Sequence, residues 1–299
     1  MNPKVSIIIL NWNGLDDTIE CLDSLKKTTY PDYEVIVVDN GSKGDDAEIL
    51  GEKYKDYIHI VENDKNYGFA EGCNIGMRYA LKNSHPDYIL LLNNDTVVAP
   101  DFLNKLIDVA EKDVSIGIAG PKIYFYDQPN KLQSAGARVN WWTGETALIG
   151  YGEIDNGQFG HLKDVDWVIG GALLIKRQVL EKIGLLYQPY FAYFEEADWC
   201  ARCRKAGYRV VYVPGAKVWH KGQRTIGKQD VSLLYYMTRN RLLFMRRNST
   251  TLQFVCFLMW FSLKDSLVTT IMLIRRKELK SLTKFYKAIC DGMRLSFCP

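Results

Sequence analysis

Leu90-Leu91-Leu92, preceded by Tyr88-Ile89, runs without a polar break into Asn93-Asn94-Asp95-Thr96. A strand with no polar alternation has to be covered on both faces, which calls for a sheet layered between helices. In an open parallel sheet, ligands gather beyond the carboxyl ends of the strands, so a carboxylate delivered there is positioned for a metal ion or a phosphate. Asp95 is that carboxylate. Asn-Asp followed by Pro100-Asp101 is also ordinary turn and helix-start chemistry, so the stretch alone leaves both readings open.

Other runs end the same way. Val5 to Leu10 is continuous and β-branched and leads into Asn11-Trp12-Asn13-Gly14; a helical pattern follows from Asp16 or Asp17 as cap through Ile19, Leu22 and Leu25. Tyr33 to Val38 is a second strand ending in Asp39-Asn40-Gly41-Ser42. Strand, helix, strand in so few residues is a βαβ unit with a right-handed crossover. Asp39 stands where nucleotide-binding sheets place a carboxylate to accept hydrogen bonds from ribose or base. A dinucleotide site needs G-x-G-x-x-G after the first strand, and only Gly14 is there, so a mononucleotide is favoured. Ile58 to Val61 is a third strand, followed by Gly68, Gly72 and Gly76 at the start of a helix through Met77 and Leu81. That spacing predicts room for a ligand near the backbone and free amides for a diphosphate; close packing is the competing reading.

At 299 residues with 47% hydrophobic content, the chain can build one large α/β domain and an appendage. Seven scattered cysteines argue against a disulfide framework and for a reducing compartment. Cys200-x-x-Cys203 has no second pair and lies in a helical pattern, which is not a zinc or redox arrangement. The apolar run at the N-terminus is too short for a secretory signal and reads as the first strand.

Further along, Phe102 to Ala110 is helical and Ile116 to Ala119 a strand. A loop-rich run with Tyr124-Phe125-Tyr126 and Trp141-Trp142 follows, whose tryptophans are either acceptor contacts or core. Val165 to Ile175 reads as a buried strand interrupted by Gly170-Gly171, a bulge or a close ligand approach. Glu195, Glu196 and Asp198 open a helix that stops at Gly207, where they either answer the helix dipole or hold a general base. Tyr208 to Pro214 is the last predicted strand, and Trp219-His220-Lys221-Gly222 follows it.

Ser6-Ile7-Ile8-Ile9 with Asn11 and Asn13, Val37-Val38-Asp39-Asn40-Gly41-Ser42, Asn66-x-Gly68-Phe69-Ala70-x-Gly72-x-Asn74-x-Gly76 and Leu91-Leu92-Asn93-Asn94-Asp95 together resemble family 2 glycosyltransferases, in particular the rhamnosyltransferase-like ones, over residues 5 to about 222. The resemblance implies a GT-A type fold, a Rossmann-like, mostly parallel sheet flanked by helices with a C-terminal helical appendage. Residues 1–228 would form the catalytic domain, with a donor half to about 100 and an acceptor half from about 101, and 229–299 a basic, apolar helical region. It implies an inverting transfer from dTDP-rhamnose or a UDP-sugar to a hydroxyl of a glycan or lipid-linked acceptor, with Mg²⁺ or Mn²⁺. Donor contacts carried over are Asn11, Asn13, Asp39, Asn40, Ser42, Asn66, Gly68, Phe69, Gly72, Asn74, Asn93, Asn94 and Asp95. Asn93 replaces the first Asp of the family's D-x-D motif, leaving Asp95 as the charged metal ligand. Glu196 occupies the place of the base, with Asp198 beside it as a second catalytic candidate, and His220 that of the second metal ligand. A nucleotide-sugar pyrophosphorylase would show a Lys- and Arg-bearing glycine loop after the first strand, and a non-catalytic nucleotide-sugar-binding protein would have lost the acids.

The net charge of +3 conceals a division: residues 239–299 carry 12 Lys+Arg against 3 Asp+Glu, a net +9, and the remainder a net −6. Leu252 to Ile274 is long enough to cross a bilayer, yet Lys264 and Asp265 at its centre each cost about 2.5–3.5 kcal/mol there. The expectation is peripheral attachment of 239–299 to the cytoplasmic face of an anionic membrane, with a helical subdomain or oligomer contact as the alternative. No nucleic-acid partner is expected.

Overall fold

The computed structural model describes residues 2–222 and 231–297. The chain divides into two compact units: residues 1–138, 148–191 and 195–222 form the first, and 139–147, 192–194 and 223–299 the second. The expected boundary at 228/229 lies outside the described residues.

In chain order the elements are β1 (Val5–Asn11), α1 (Leu15–Leu25), β2 (Tyr33–Asp39), α2 (Asp46–Tyr54), β3 (Ile58–Glu62), α3 (Gly68–Asn83), β4 (Tyr88–Asn93), β5 (Thr96–Val98), α4 (Phe102–Lys112), β6 (Ile116–Phe125), β7 (Gln128–Ser134), β8 (Ala137–Val139), β9 (Thr146–Leu148), β10 (Lys163–Asp164), β11 (Ala172–Lys176), α5 (Arg177–Ile183), α6 (Glu195–Lys205), β12 (Arg209–His220), α7 (Val231–Asn248), α8 (Thr251–Trp260), α9 (Ser266–Arg275) and α10 (Leu279–Phe297). The main sheet runs β10-β12-β6-β11-β4-β1-β2-β3, with β5 on β12 and β7 on β6. All its strands except β10 and β11 point the same way along that path.

The unbroken aliphatic runs are explained by two cores. Ile7, Ile9, Val35, Val37, Leu90 and Leu92 face Leu22, Phe102 and Leu106 on one side of the sheet. Ile8, Ile36, Val38 and Leu91 face Met77 and Trp199 on the other. The central runs of β1, β2 and β4 are thus apolar whichever way their residues point, apart from Ser6.

Three expectations are corrected. Gly170-Gly171 does not interrupt a strand: it forms the turn before β11, which begins at Ala172. The last strand does not stop at Pro214. β12 continues to His220 through an irregularity between Val213 and Lys217, where the missing proline amide is tolerated. Finally, α1 begins at Leu15, so Asp16 and Asp17 lie in its first turn instead of capping it.

The second unit consists mainly of α7 to α10. Trp141 stacks on Phe244 with ring centroids 5.5 Å apart, and Gly144 lies against Met245 and Phe257. Trp141 is therefore packed within this unit, while Trp142 is 51% exposed. Ala192 and Tyr193 are clamped by wholly buried Asn240, whose amide donates to both carbonyls at 2.7 Å. α8 and α9 form one helix, Thr251–Arg275, through a π turn at Phe261–Asp265. By length and composition it could cross a membrane.

Candidate active site

Sheet register brings the polar strand ends to one edge of the first unit. β1 pairs Asn11 with Asp39 of β2, and Leu10 with Asn93 of β4. β11 runs antiparallel to β4, so its first residues come to the same edge, where Gly171 O accepts from Asn93 N at 3.0 Å. β12 pairs His220 with Thr96 of β5, bringing the imidazole beside Asp95.

The resulting contact is specific. His220 Nε2 lies 3.0 Å from Asp95 Oδ1, and His220 Nδ1 lies 2.7 Å from Gln133 Oε1. An amide oxygen only accepts, so Nδ1 carries a proton, which leaves Nε2 to face Asp95. Two acceptors facing each other need a positive centre between them, either a proton or a cation. The second oxygen of Asp95 accepts from Gly222 N at 3.1 Å. Burial raises the Asp95 carboxyl pKa, but His220 and the amides around it outweigh that and hold it below the usual carboxylate value. Asn93 adds a buried side-chain oxygen with no hydrogen-bond partner, while its amide nitrogen is 3.4 Å from His220 Nε2.

These groups fit a divalent cation. A 3.0 Å separation suits two adjacent ligands, each about 2.1 Å from an octahedral ion, and Mg²⁺-type sites often take one or two protein ligands, with phosphate and water completing the shell. Among the described residues, no cluster of three or more His, Cys, Asp or Glu side chains is available to hold such an ion alone.

Beside this centre, Asp39 is the hub of a buried network. Its carboxylate accepts from Asn11 Nδ2 (2.8 Å), Ser42 Oγ (2.7 Å) and Ser42 N (2.9 Å). Asn11 also reaches Asp46 (2.9 Å) and accepts from Thr18 (2.8 Å), to which Asn94 donates (3.0 Å). Asn13, at φ 51°, receives Lys43 N on its amide oxygen and donates its own N–H to Ser42. The site edge from Asn94 to Asn13 is thus preorganised.

The glycine helix departs from expectation. A Cβ on Gly72 would lie 2.5 Å from Leu10, and one on Gly76 2.5 Å from Ile8 and 2.8 Å from Val38. The room is what α3 needs to lie against β1 and β2. Two of its first amides are occupied: Gly68 N donates to Asn66 Oδ1 (2.7 Å) and Ala70 N to Phe191 O (3.1 Å). Asn40 is buried and bonded to Asn63, Asn66, Tyr67 and Gly68; Asn74 is buried and bonded to Leu186; Phe69 packs on the core. These three shape the loop.

At the start of α6, Glu196 lies beside Gly170 and His220 beside Gly171; a Cβ on either glycine would meet that side chain at ordinary contact distance, 3.7–3.8 Å and 3.6 Å. Glu195 is buried, Glu196 is partly exposed, and each carboxyl has one oxygen without a partner. Burial, reinforced by the neighbouring Glu196 charge, pushes Glu195 well above the ordinary value; burial also raises Glu196, against the pull of nearby backbone amides. Asp198 is fully buried, ion-paired with Arg202 at 2.8 Å and within 3.3 Å of Tyr190 OH. Since Arg202 also donates to the carbonyls of Ile183 and Leu185, Asp198 anchors the helix.

A mixed sheet with its polar edge formed by β1, β2, β4 and β12 is the GT-A glycosyltransferase fold. Two solved structures share it: TarS 1–349 of S. aureus in complex with UDP-GlcNAc (TM-score 0.64, 15% identity, 98% of this chain and 81% of that one) and the mannosyltransferase PcManGT of Pyrobaculum calidifontis in complex with GDP-Man and Mn²⁺ (0.58, 15%, 99% and 87%). Residues 6–199 match the family model for glycosyl transferase family 2, and the chain belongs to that family. It is 24% identical to the dTDP-rhamnosyl transferase RfbF of Shigella flexneri over 98% of this chain and 97% of RfbF. It is 28% identical to the low-salt glycan biosynthesis hexosyltransferase Agl10 of Haloferax volcanii over 70% of this chain, and 29% identical to the uncharacterized protein y4gI of Sinorhizobium fredii over 84%. The chain spans 64% of Agl10 and 28% of y4gI.

Proposed function

We propose that this glycosyltransferase is inverting and metal-dependent, moving a sugar from dTDP-rhamnose or a UDP-sugar to a hydroxyl of a glycan or lipid-linked acceptor. The observation that carries the reading is His220 Nε2, its ring oriented by Gln133, facing Asp95 Oδ1 across 3.0 Å. Asp95 and His220 would hold Mg²⁺ or Mn²⁺, which when bound offsets the charge developing on the diphosphate leaving group. Asp39, Asn11, Asn13 and Ser42 receive the nucleoside, with Asn93 and Asn94 at the diphosphate side. Glu196 takes the acceptor proton as the hydroxyl oxygen bonds to the anomeric carbon and the bond to the diphosphate breaks. One displacement from the opposite face inverts that carbon. Raising a carboxyl above its ordinary value makes it a better base near neutrality, which supports Glu196 in this role. The same reading puts the enzyme in the cytoplasm, peripheral on a membrane through 239–299, with the net +9 of that segment as its support.

Incubation with dTDP-rhamnose and UDP-sugars, with and without Mn²⁺, tests it. Mn²⁺-dependent release of nucleoside diphosphate is expected, and Glu196→Gln should retain donor binding and lose about 10²–10⁴ in rate. Donor binding with no turnover would leave a non-catalytic binding protein, and pyrophosphate-dependent donor cleavage a pyrophosphorylase.

A further inference from the structure

The helix Thr251–Arg275 has two unlike sides, and neither is polar. Phe254, Phe257, Phe261 and Leu273 are buried within the second unit. On the other side Leu252, Val255, Met259, Leu263, Leu267 and Ile271, three or four residues apart, are 47–73% exposed. The two central charges are divided in the same way. Asp265 turns inward to Arg241 at 2.8 Å, and exposed Lys264 folds its ammonium over the Trp260 ring at 4.0 Å. Beyond the stripe, Arg275, Arg276, Lys277, Lys280, Lys284 and Lys287 are all exposed, with Glu278 the one acid from 275 to 287.

We infer that this stripe lies in the plane of an anionic lipid surface, with its apolar side chains below the headgroups and the cations after Ile274 at the phosphates, and that the helix does not cross. Crossing would strip Phe257, Phe261 and Asp265 of the partners they hold in the second unit. An in-plane helix keeps them and buries only what is bare, and Lys264 can reach the headgroups along its own stem. A second copy of the chain is the poorer occupant because it would bring the same cations against themselves, whereas an anionic membrane complements them. The inference rests on the membrane location in the reading above and not on its chemistry, since donor hydrolysis is measured without lipid.

The test uses the full chain and vesicles of phosphatidylcholine with or without about 30% phosphatidylglycerol, a composition that supplies anionic charge. Flotation with the anionic vesicles, only partly reversed by salt, is expected, because salt screens the cations but not the apolar burial. Leu263→Glu with Leu267→Glu changes side chains 73% and 55% exposed, so the unfolding midpoint and donor hydrolysis should be unchanged while the bound fraction falls about tenfold or more. Nitroxides on Val255→Cys and Ile271→Cys, with Cys256, Cys290 and Cys298 changed to Ser, should report equal depth; sixteen residues of spanning helix would separate them by about 24 Å. Absence of flotation by the parent protein, unchanged flotation of the double variant, or unequal depths each overturns the inference, as does a parent that dimerises through the stripe and ignores lipid.

Discussion

Gln133 is uncharged and has no reaction to perform, yet the imidazole facing Asp95 takes its orientation and tautomer from it. Gln133→Leu should weaken Mn²⁺ binding about 10- to 100-fold, the usual cost of losing the partner behind a ligating histidine, with little change in the unfolding midpoint. Titration of the Mn²⁺ signal by electron paramagnetic resonance checks this, and Gln133→Glu, which still accepts from Nδ1, should recover most of the affinity. Asp95 could be picked out as a carboxylate at the end of an apolar run, and His220 only through the family resemblance, since the strand before it was expected to stop at Pro214. Gln133 could not be: it meets His220 across 87 residues of chain, through the register that lays β7 on β6 and β6 on β12. Glu195 carries a prediction of opposite sign to ordinary acid denaturation. Its pKa is raised in the fold, so between the ordinary carboxyl value and the raised one the folded chain holds more protons than the unfolded chain. Stability therefore falls as pH climbs through that window. Glu195→Gln should flatten the slope and raise the midpoint on its alkaline side, measured by thermal unfolding from pH 5 to 8. Parallel curves for parent and variant would contradict the buried neutral acid.

For the elements, the runs that became β1, β2, β3 and β4 were legible because two apolar cores cover both faces of the sheet, whereas the short strands β5 and β7 to β10 carry no such run and β11 and β12 had other bounds than expected. The glycines of α3 show the opposite case. One spacing serves ligand access and close packing equally, and only the distances to Ile8, Val38 and Leu10 decide it for packing at Gly72 and Gly76. Gly76→Ala should therefore cost about 1–2 kcal/mol, since overpacking outweighs the gain in helix propensity, and should lower the unfolding midpoint while donor affinity stays near parental. A stable variant with weakened donor binding would instead return Gly76 to the ligand. Just before α6, Phe191, Tyr193 and Phe194 adopt φ of 64°, 69° and 73°, a conformation that aromatic side chains rarely adopt. Nothing in the local sequence announces it. Asn240, 46 residues beyond Phe194, holds the carbonyls of Ala192 and Tyr193, so this backbone is fixed by a residue far along the chain.

Taken whole, the molecule draws its candidate centre from separated parts of the chain: Asn11 to Thr18, Asp39 to Ser42, Asn93 to Asp95, Gln133, Gly170-Gly171, Glu196 and His220. No short fragment contains it, which is why pattern and family resemblance could name most of its members, Gln133 excepted, but not the contacts among them. His220 is carried by β12, the last strand of the sheet, and this bears on how the protein is made. At a synthesis rate of about 5–20 residues per second, some 6–25 s separate the emergence of Asp95 from that of His220. Throughout that interval Asp95 lacks its imidazole partner, and the nascent chain holds half of the proposed cation site. Ribosome-held chains arrested after Gly207 should show no specific Mn²⁺ binding, and in refolding of the full chain Mn²⁺ uptake should lag the circular dichroism of the sheet. Simultaneous uptake would mean that the site forms without its last strand. On the proposed reading, competence for the cation is a late event in the life of the chain, after the region that would receive the nucleoside has been synthesised.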